Sequence, residues 1–138
     1  HLWIGVYDKS QPSRMYEYEI AELVAALAPI GGKEKRKPTL GVDDAVGSVD
    51  IERKAQGADV SGSGVWVSSS SSTCGILTRN GSDTFGFGPG VEEIETDGQG
   101  GMWAIFEAGA EKYQERFYPI LARFQLDALS EVPDCMPW

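Results

Sequence analysis

The sequence predicts an all-β fold made of short strands that recur as a unit. Three observations carry this. Seventeen of the 138 residues are Gly, many at turn-like positions, which suits tight turns between short strands better than a helical bundle. Gly88 to Ala108, GPGVEEIETDGQGGMWAIFEA, reads as a β-hairpin. Val91, Ile94 and Thr96 favour a first strand, Met102 to Phe106 is a denser apolar second strand, and Asp97 to Gly101 between them is turn chemistry. The third observation is that an earlier stretch repeats this hairpin.

The elements follow in order. Leu2 to Tyr7 is a strand by composition. Asp8 to Ser13 is a loop. Tyr16, Tyr18 and Ile20 alternate with Glu17 and Glu19, the pattern of a half-buried strand. Ala21 to Leu27 has helix-forming residues and predicts one or two helical turns. Residues 28–54 read as a variable charged loop, with the exposed run Gly31 to Pro38 as a protease-accessible point. Asp43, Asp44 and Asp50 are spaced too loosely for an EF-hand. Gln56 to Val60 leads into the turn Ser61 to Gly64, and Val65 to Ser68 is a strand that runs into a serine tract. Cys74 to Thr78, the turn Arg79 to Asp83, and Thr84 to Phe87 form a further hairpin. Ala108 to Arg116 is a polar loop or short helix, Phe117 to Leu126 a strand, and residues 130–138 a C-terminal tail.

Gln56-Gly57 lies over Glu92-Glu93 at an offset of 36, and Val65-Trp66-Val67 over Met102-Trp103-Ala104 at an offset of 37. Leu2-Trp3-Ile4 matches the second strand of another copy. Tyr18 to Leu23 matches Phe124 to Leu129 at an offset of 106. A unit of about 40 residues with a strand, a glycine turn, a Trp-centred strand and return strands is the signature of a β-propeller blade. About three blades are visible, so residues 1–138 read as one propeller segment, part of a larger or assembled ring, because three blades leave unpaired edges. Trp3, Trp66 and Trp103 occupy equivalent positions and are expected in the core between sheets; Trp138 falls outside the repeat.

The formal net charge of −9 is uneven, with −1 over residues 1–54 and −8 over residues 55–138. An acidic surface repels phosphate and argues against nucleic acid as a partner. No run of 18 apolar residues marks a membrane-spanning helix. The chain begins at His1 rather than Met, which reads as a mature or cut product. Extracellular or periplasmic placement is expected from two features. Cys74 and Cys135 could form a disulfide that ties the tail to a central strand, free buried thiols being the alternative. Asn80-Gly81-Ser82 fits the glycosylation acceptor pattern at Asn80, although Asn-Gly is also a favoured hairpin turn.

Candidate chemistry sits at the start of the innermost strands. Gln56, Asp59, Glu92 and Glu93 are expected near a central channel, and a ring of oxygen ligands there suits Ca²⁺. Glu92 and Glu93 cannot both face it on a regular strand, because successive side chains alternate. His1 is the only histidine, so a two-histidine copper site cannot form, and a serine nucleophile from the Ser68–Ser72 tract would have only the remote His1 as its base, the tract reading instead as a loop or small-residue sheet face. Neither cysteine lies in a zinc motif.

Gln56-Gly57-Ala58 before a Trp strand, Phe87 to Glu93 before Gly101-Met102-Trp103-Ala104, and Phe106 to Ala110 followed by Phe124 to Asp127 resemble secreted β-propellers of the SMP-30/gluconolactonase-like and phytase-esterase-like kinds. The resemblance covers residues 1–20 and 55–129 and consists of generic blade motifs. It departs from that pattern at Glu93, where Gly usually follows the acidic residue. It implies a central metal that orients a lactone or ester, with Glu92 as the first metal candidate and Glu107 as the second. Two expectations therefore stand together. One is a binding or assembly module completed by another chain or further copies. The other is a Ca²⁺-dependent hydrolase.

Overall fold

A computed structural model describes residues 1–27, 40–70, 75–107 and 120–129. The described chain is all-β apart from one eight-residue helix and two single-turn 3₁₀ segments, and its ten strands form three antiparallel sheets. The first sheet holds β1 (Leu2–Gly5), β2 (Ser13–Tyr18) and β3 (Gly47–Ile51) in that order. The central sheet holds β4 (Ala55–Ser61), β5 (Gly64–Ser70), β6 (Gly75–Arg79) and β7 (Asp83–Phe87). The third holds β8 (Val91–Thr96), β9 (Gly101–Phe106) and β10 (Ile120–Gln125). Every pairing joins consecutive strands, so turn chemistry sets the register locally.

The turns explain why these residues fold this way. Asp97 closes the β8–β9 turn by accepting the backbone N–H groups of Gln99 and Gly101 at 2.8 and 2.9 Å. Those bonds, with help from Arg123, hold its carboxyl below the ordinary carboxylate range. Asn80 lies at φ +54 in the β6–β7 turn, a left-handed conformation that Asn tolerates better than most residues. Its Oδ1 accepts the Val65 N–H at 2.9 Å, so it ties the hairpin to β5.

The sheets stack face to face in chain order. Strand alternation gives each sheet a leading face, towards the sheet that follows it, and a trailing face. Trp3, Met15, Val49 and Ile51 on the leading face of the first sheet pack with Val65, Val67 and Ala55 of the central sheet. Trp66, Leu77, Phe85 and Phe87 on the leading face of the central sheet pack with Val91, Ile94, Met102, Ala104 and Phe106 of the third. Phe87 sits 5.4 Å from Phe106 and 4.8 Å from Phe124, ring centre to ring centre. Each large side chain buried this way contributes on the order of 1.5–3 kcal/mol.

The inner strands of adjacent sheets, β4 and β8, come closest at Gly57. A Cβ there would lie 2.7 Å from the Glu93 Cα and 2.9 Å from the Glu92 carbonyl oxygen. Only glycine accepts that approach. Two bonds lock it. Gln56 Nε2 donates to Glu92 at 2.7 Å, and the Thr96 N–H donates to Asp59 at 3.0 Å, joined by the Thr96 hydroxyl. Gln56 and Glu92 are also the residues that align at the offset of 36, whereas Asp59, which stands opposite Trp66 as Glu95 stands opposite Trp103, bonds the residue after its equivalent.

Several expectations need correction. Residues 47–51, read inside a charged loop, form β3, because Val49 and Ile51 alternate with Ser48 and Asp50 and pack on Met15. Ser13 belongs to β2 rather than to the preceding loop, and Ile20 starts the helix Ile20–Leu27 rather than ending the strand. Gln56 to Val60 is strand rather than an approach to a turn. Trp103 is not in the core. It is 41% exposed, whereas Trp66 is 1% exposed, because no described sheet covers the leading face of the third sheet. Cys74, Cys135, Ala108 to Arg116, Phe117 to Pro119, residues 28–39 and the tail 130–138 lie outside the described residues. Among the described residues no helix is long and apolar enough to cross a membrane.

Two outcomes test this packing. Gly57→Ala should lower the unfolding free energy by about 1–3 kcal/mol, since the inner strands must part to admit one methyl group. A change within error in chemical denaturation would refute the close approach. Asn80→Ala should cost about 1–2 kcal/mol through the lost bond to Val65 and the left-handed backbone, measured the same way.

Candidate functional site

The expected channel residues separate into two groups. Both inner strands carry a β-bulge at the same repeat position, between Ala55 and Ala58 in β4 and between Val91 and Glu93 in β8. The bulge switches which side chains share a face. Val91 points back into the core, Glu93 pairs with Ile105 on the leading face and is exposed, and Glu92 is the extra residue between them. Asp59 also faces the third sheet and is spent on Thr96. Asp59 and Glu93 therefore sit apart from the cluster that Gln56 and Glu92 form.

That cluster adds Glu107, which follows β9. Partial burial raises the Glu92 carboxyl above its ordinary value. The Gln56 amide opposes the shift, and the neighbouring Glu107 charge adds to it. The surrounding frame is rigid. The Ser68 hydroxyl accepts the Gly57 N–H at 2.9 Å and clamps the β4 bulge, and the Ser70 hydroxyl accepts the Gly90 N–H at 2.8 Å. Ser68 and Ser70 thus serve the backbone, and both recorded bonds of the buried Ser68 hydroxyl are to Gly57 backbone rather than to a base.

Chemically, two carboxyls and one amide can share a proton or attract a cation. They do not by themselves complete a Ca²⁺ shell, which takes six to eight oxygens. The Gln56 amide also aims its N–H, not its carbonyl, at Glu92. No group of three or more His, Cys, Asp or Glu suited to a metal occurs among the described residues. His1 is engaged by Glu17 and Glu19 at the end of the first sheet, far in sequence from this cluster.

A second concave feature lies between the β4–β5 and β8–β9 turns. It is a cleft of about 330 Å³ lined by Ser61, Ser63, Thr96, Gly98, Gly100 and Leu126, among others. Its hydroxyls are used internally: Ser63 accepts the Trp66 indole N–H and bonds Ser61, and Thr96 bonds Asp59. Only the two glycine turns mark this cleft in the sequence. The inter-sheet bond of Asp59 to Thr96 left no mark in the repeat, where Asp59 aligns with Glu95.

No family model, no curated protein and no solved structure matches the chain.

The raised Glu92 value sets a pH dependence. A carboxyl whose folded value exceeds its unfolded value contributes stability below the unfolded value. That contribution is lost as pH rises through the folded value. Glu92→Gln keeps an acceptor for Gln56 and cannot ionise. It should match wild type near pH 4 and exceed it at pH 7 by up to about 0.5 kcal/mol, small because the site is solvent-screened. Denaturation at both pH values checks this, and a variant weaker than wild type at pH 7 would refute it.

Proposed function

We propose that the chain is a β-propeller segment of an extracellular or periplasmic protein, working as a binding or assembly module that another chain or further copies complete. The observation that carries this reading is that β4 and β8 lie side by side at the same level of the repeat: Gln56 bonds its repeat equivalent Glu92, and Asp59 bonds Thr96, one residue past its own equivalent Glu95. Inner strands side by side at matching levels of the repeat are what blades fanned about one axis require. The sheets are also covered in order: Trp3 packs under the central sheet, Trp66 under the third, and Trp103 stands open at the end of the series. An acidic surface supports partners other than nucleic acid.

A second reading, a Ca²⁺-dependent lactonase or esterase, is favoured by the proximity of Glu92 and Glu107. Two carboxylates leave most of a Ca²⁺ shell unfilled, so no hydrolytic step is assigned to them.

Two measurements test these readings. A double-mutant cycle of Asp59→Ala and Thr96→Val should return a coupling of about 1 kcal/mol, since the two lie on different sheets that the propeller reading holds together. Zero coupling would sink that reading. Calorimetric titration with Ca²⁺ should show no binding if the chain is an assembly module. Binding by wild type that Glu92→Gln abolishes would transfer the conclusion to the hydrolase.

A further inference from the structure

We infer that the leading face of the third sheet docks on the trailing face of the first sheet in a second copy of this chain, head to tail. The inference rests on the stacked-sheet reading above and names the occupant of its open end.

The first argument is residue equivalence. Trp66 pairs with Arg79 across β5 and β6, and Trp103 pairs with Arg123 across β9 and β10. Two residues before each Arg stands a leucine, Leu77 in the central sheet and Leu121 in the third. Trp66 and Leu77 are 1% and 0% exposed because the third sheet covers them. Trp103 and Leu121 occupy the same places on the next face and are 41% and 64% exposed, with Ile105 open between them. The chain has repeated the covered half of an interface where no described element covers it. At the other end, Leu2 and Ile4 are exposed on the trailing face of the first sheet. That face also carries the Arg14–Asp50 ion pair and Tyr18, which is already buried and bonds Gly41, just as Glu93, Glu95 and Arg123 share the leading face of the third sheet. Exposed apolar side chains at each end of a stack make a heterologous pair, in which one end of a copy fits the other end of the next.

The second argument chooses the occupant. Within the chain, the next sheet brings an inner strand close enough that position 57 must be glycine. The equivalent position in the third sheet is Glu93, which carries an exposed side chain on the leading face. A further complete four-stranded sheet with its inner strand at the β4–β8 spacing would collide with that side chain. The first sheet is different. By its Trp3 equivalence β1 matches β5 and β9, so among the described residues no strand corresponding to β4 or β8 lies beside β1. Glu93 faces room there rather than backbone. The chain's own first sheet is thus the surface that suits the chain's own last face. Two copies bring together twice the three sheets of one chain, six in all and inside the four-to-eight range of closed propellers.

The experiment uses light scattering with size exclusion on the full chain. Wild type is expected at twice 15.0 kDa. Leu121→Asp and Ile4→Asp each change an exposed side chain, and each should halve the mass with an unchanged circular dichroism spectrum. Mixed, the two variants retain one intact interface between them and should regain the double mass. Three results overturn the proposal: a dimer broken by only one of the two substitutions, a mixture that stays monomeric, or assembly into three copies or open polymers. A monomeric wild type overturns it as well. If the Asp59–Thr96 coupling is then still present, only the second-copy occupant falls; if the coupling is zero, the propeller reading falls with it.

Discussion

The close approach of β4 and β8 at Gly57 is the constraint on which the remaining structure depends. Backbone meets backbone there, and everything outward of it is a consequence of two sheets being held at that distance. The Gln56–Glu92 and Asp59–Thr96 bonds fix the shift of one strand along the other. The two bulges let the strands depart from regular alternation at the same point in each copy. Trp66, Leu77 and the Phe87–Phe106–Phe124 group then fill the wedge that opens outward from this contact. The carboxyl cluster is a by-product of the same contact, since Glu92 meets Gln56 only because the inner strands are neighbours.

Much of the fold was legible in the sequence, for definite physical reasons. Hairpins announce themselves through glycine and Asx turns, and Asp97 and Asn80 behave as their turn chemistry demands. The repeat was legible because a stack reuses one interface, so the same side-chain types recur at the same spacing. What was not legible is whether a given face is covered. Trp66 and Trp103 have the same local sequence context and opposite surroundings, a difference set by the presence of a following sheet and not by either strand. β3 was missed because five residues with two apolar side chains, following an acidic loop, carry too little periodicity to stand out.

At the candidate site, the resemblance to secreted propellers pointed to Glu92 and Glu107, and the fold brings them together. It could not divide Glu92 from Glu93, Asp59 and Gln56, because a bulge changes facing without leaving a mark on residue type. The departure at Glu93 from the glycine of the preceding copy is better explained by steric demand than by catalysis. Gly57 yields to a neighbouring backbone, and among the described residues no sheet lies over Glu93 to require the same.

The glycine at position 57 also has a consequence for shape. In a closed ring each sheet must turn by a fixed angle from the last, roughly 60° if there are six. The spacing of the inner strands sets that angle, and an error at one contact recurs at every equivalent contact around the circle. A heterologous surface whose rotation fails to sum to a full turn does not stay unpaired; it continues as a helix without end. In the proposed ring, a methyl group at this one contact would therefore bear on closure as well as on stability.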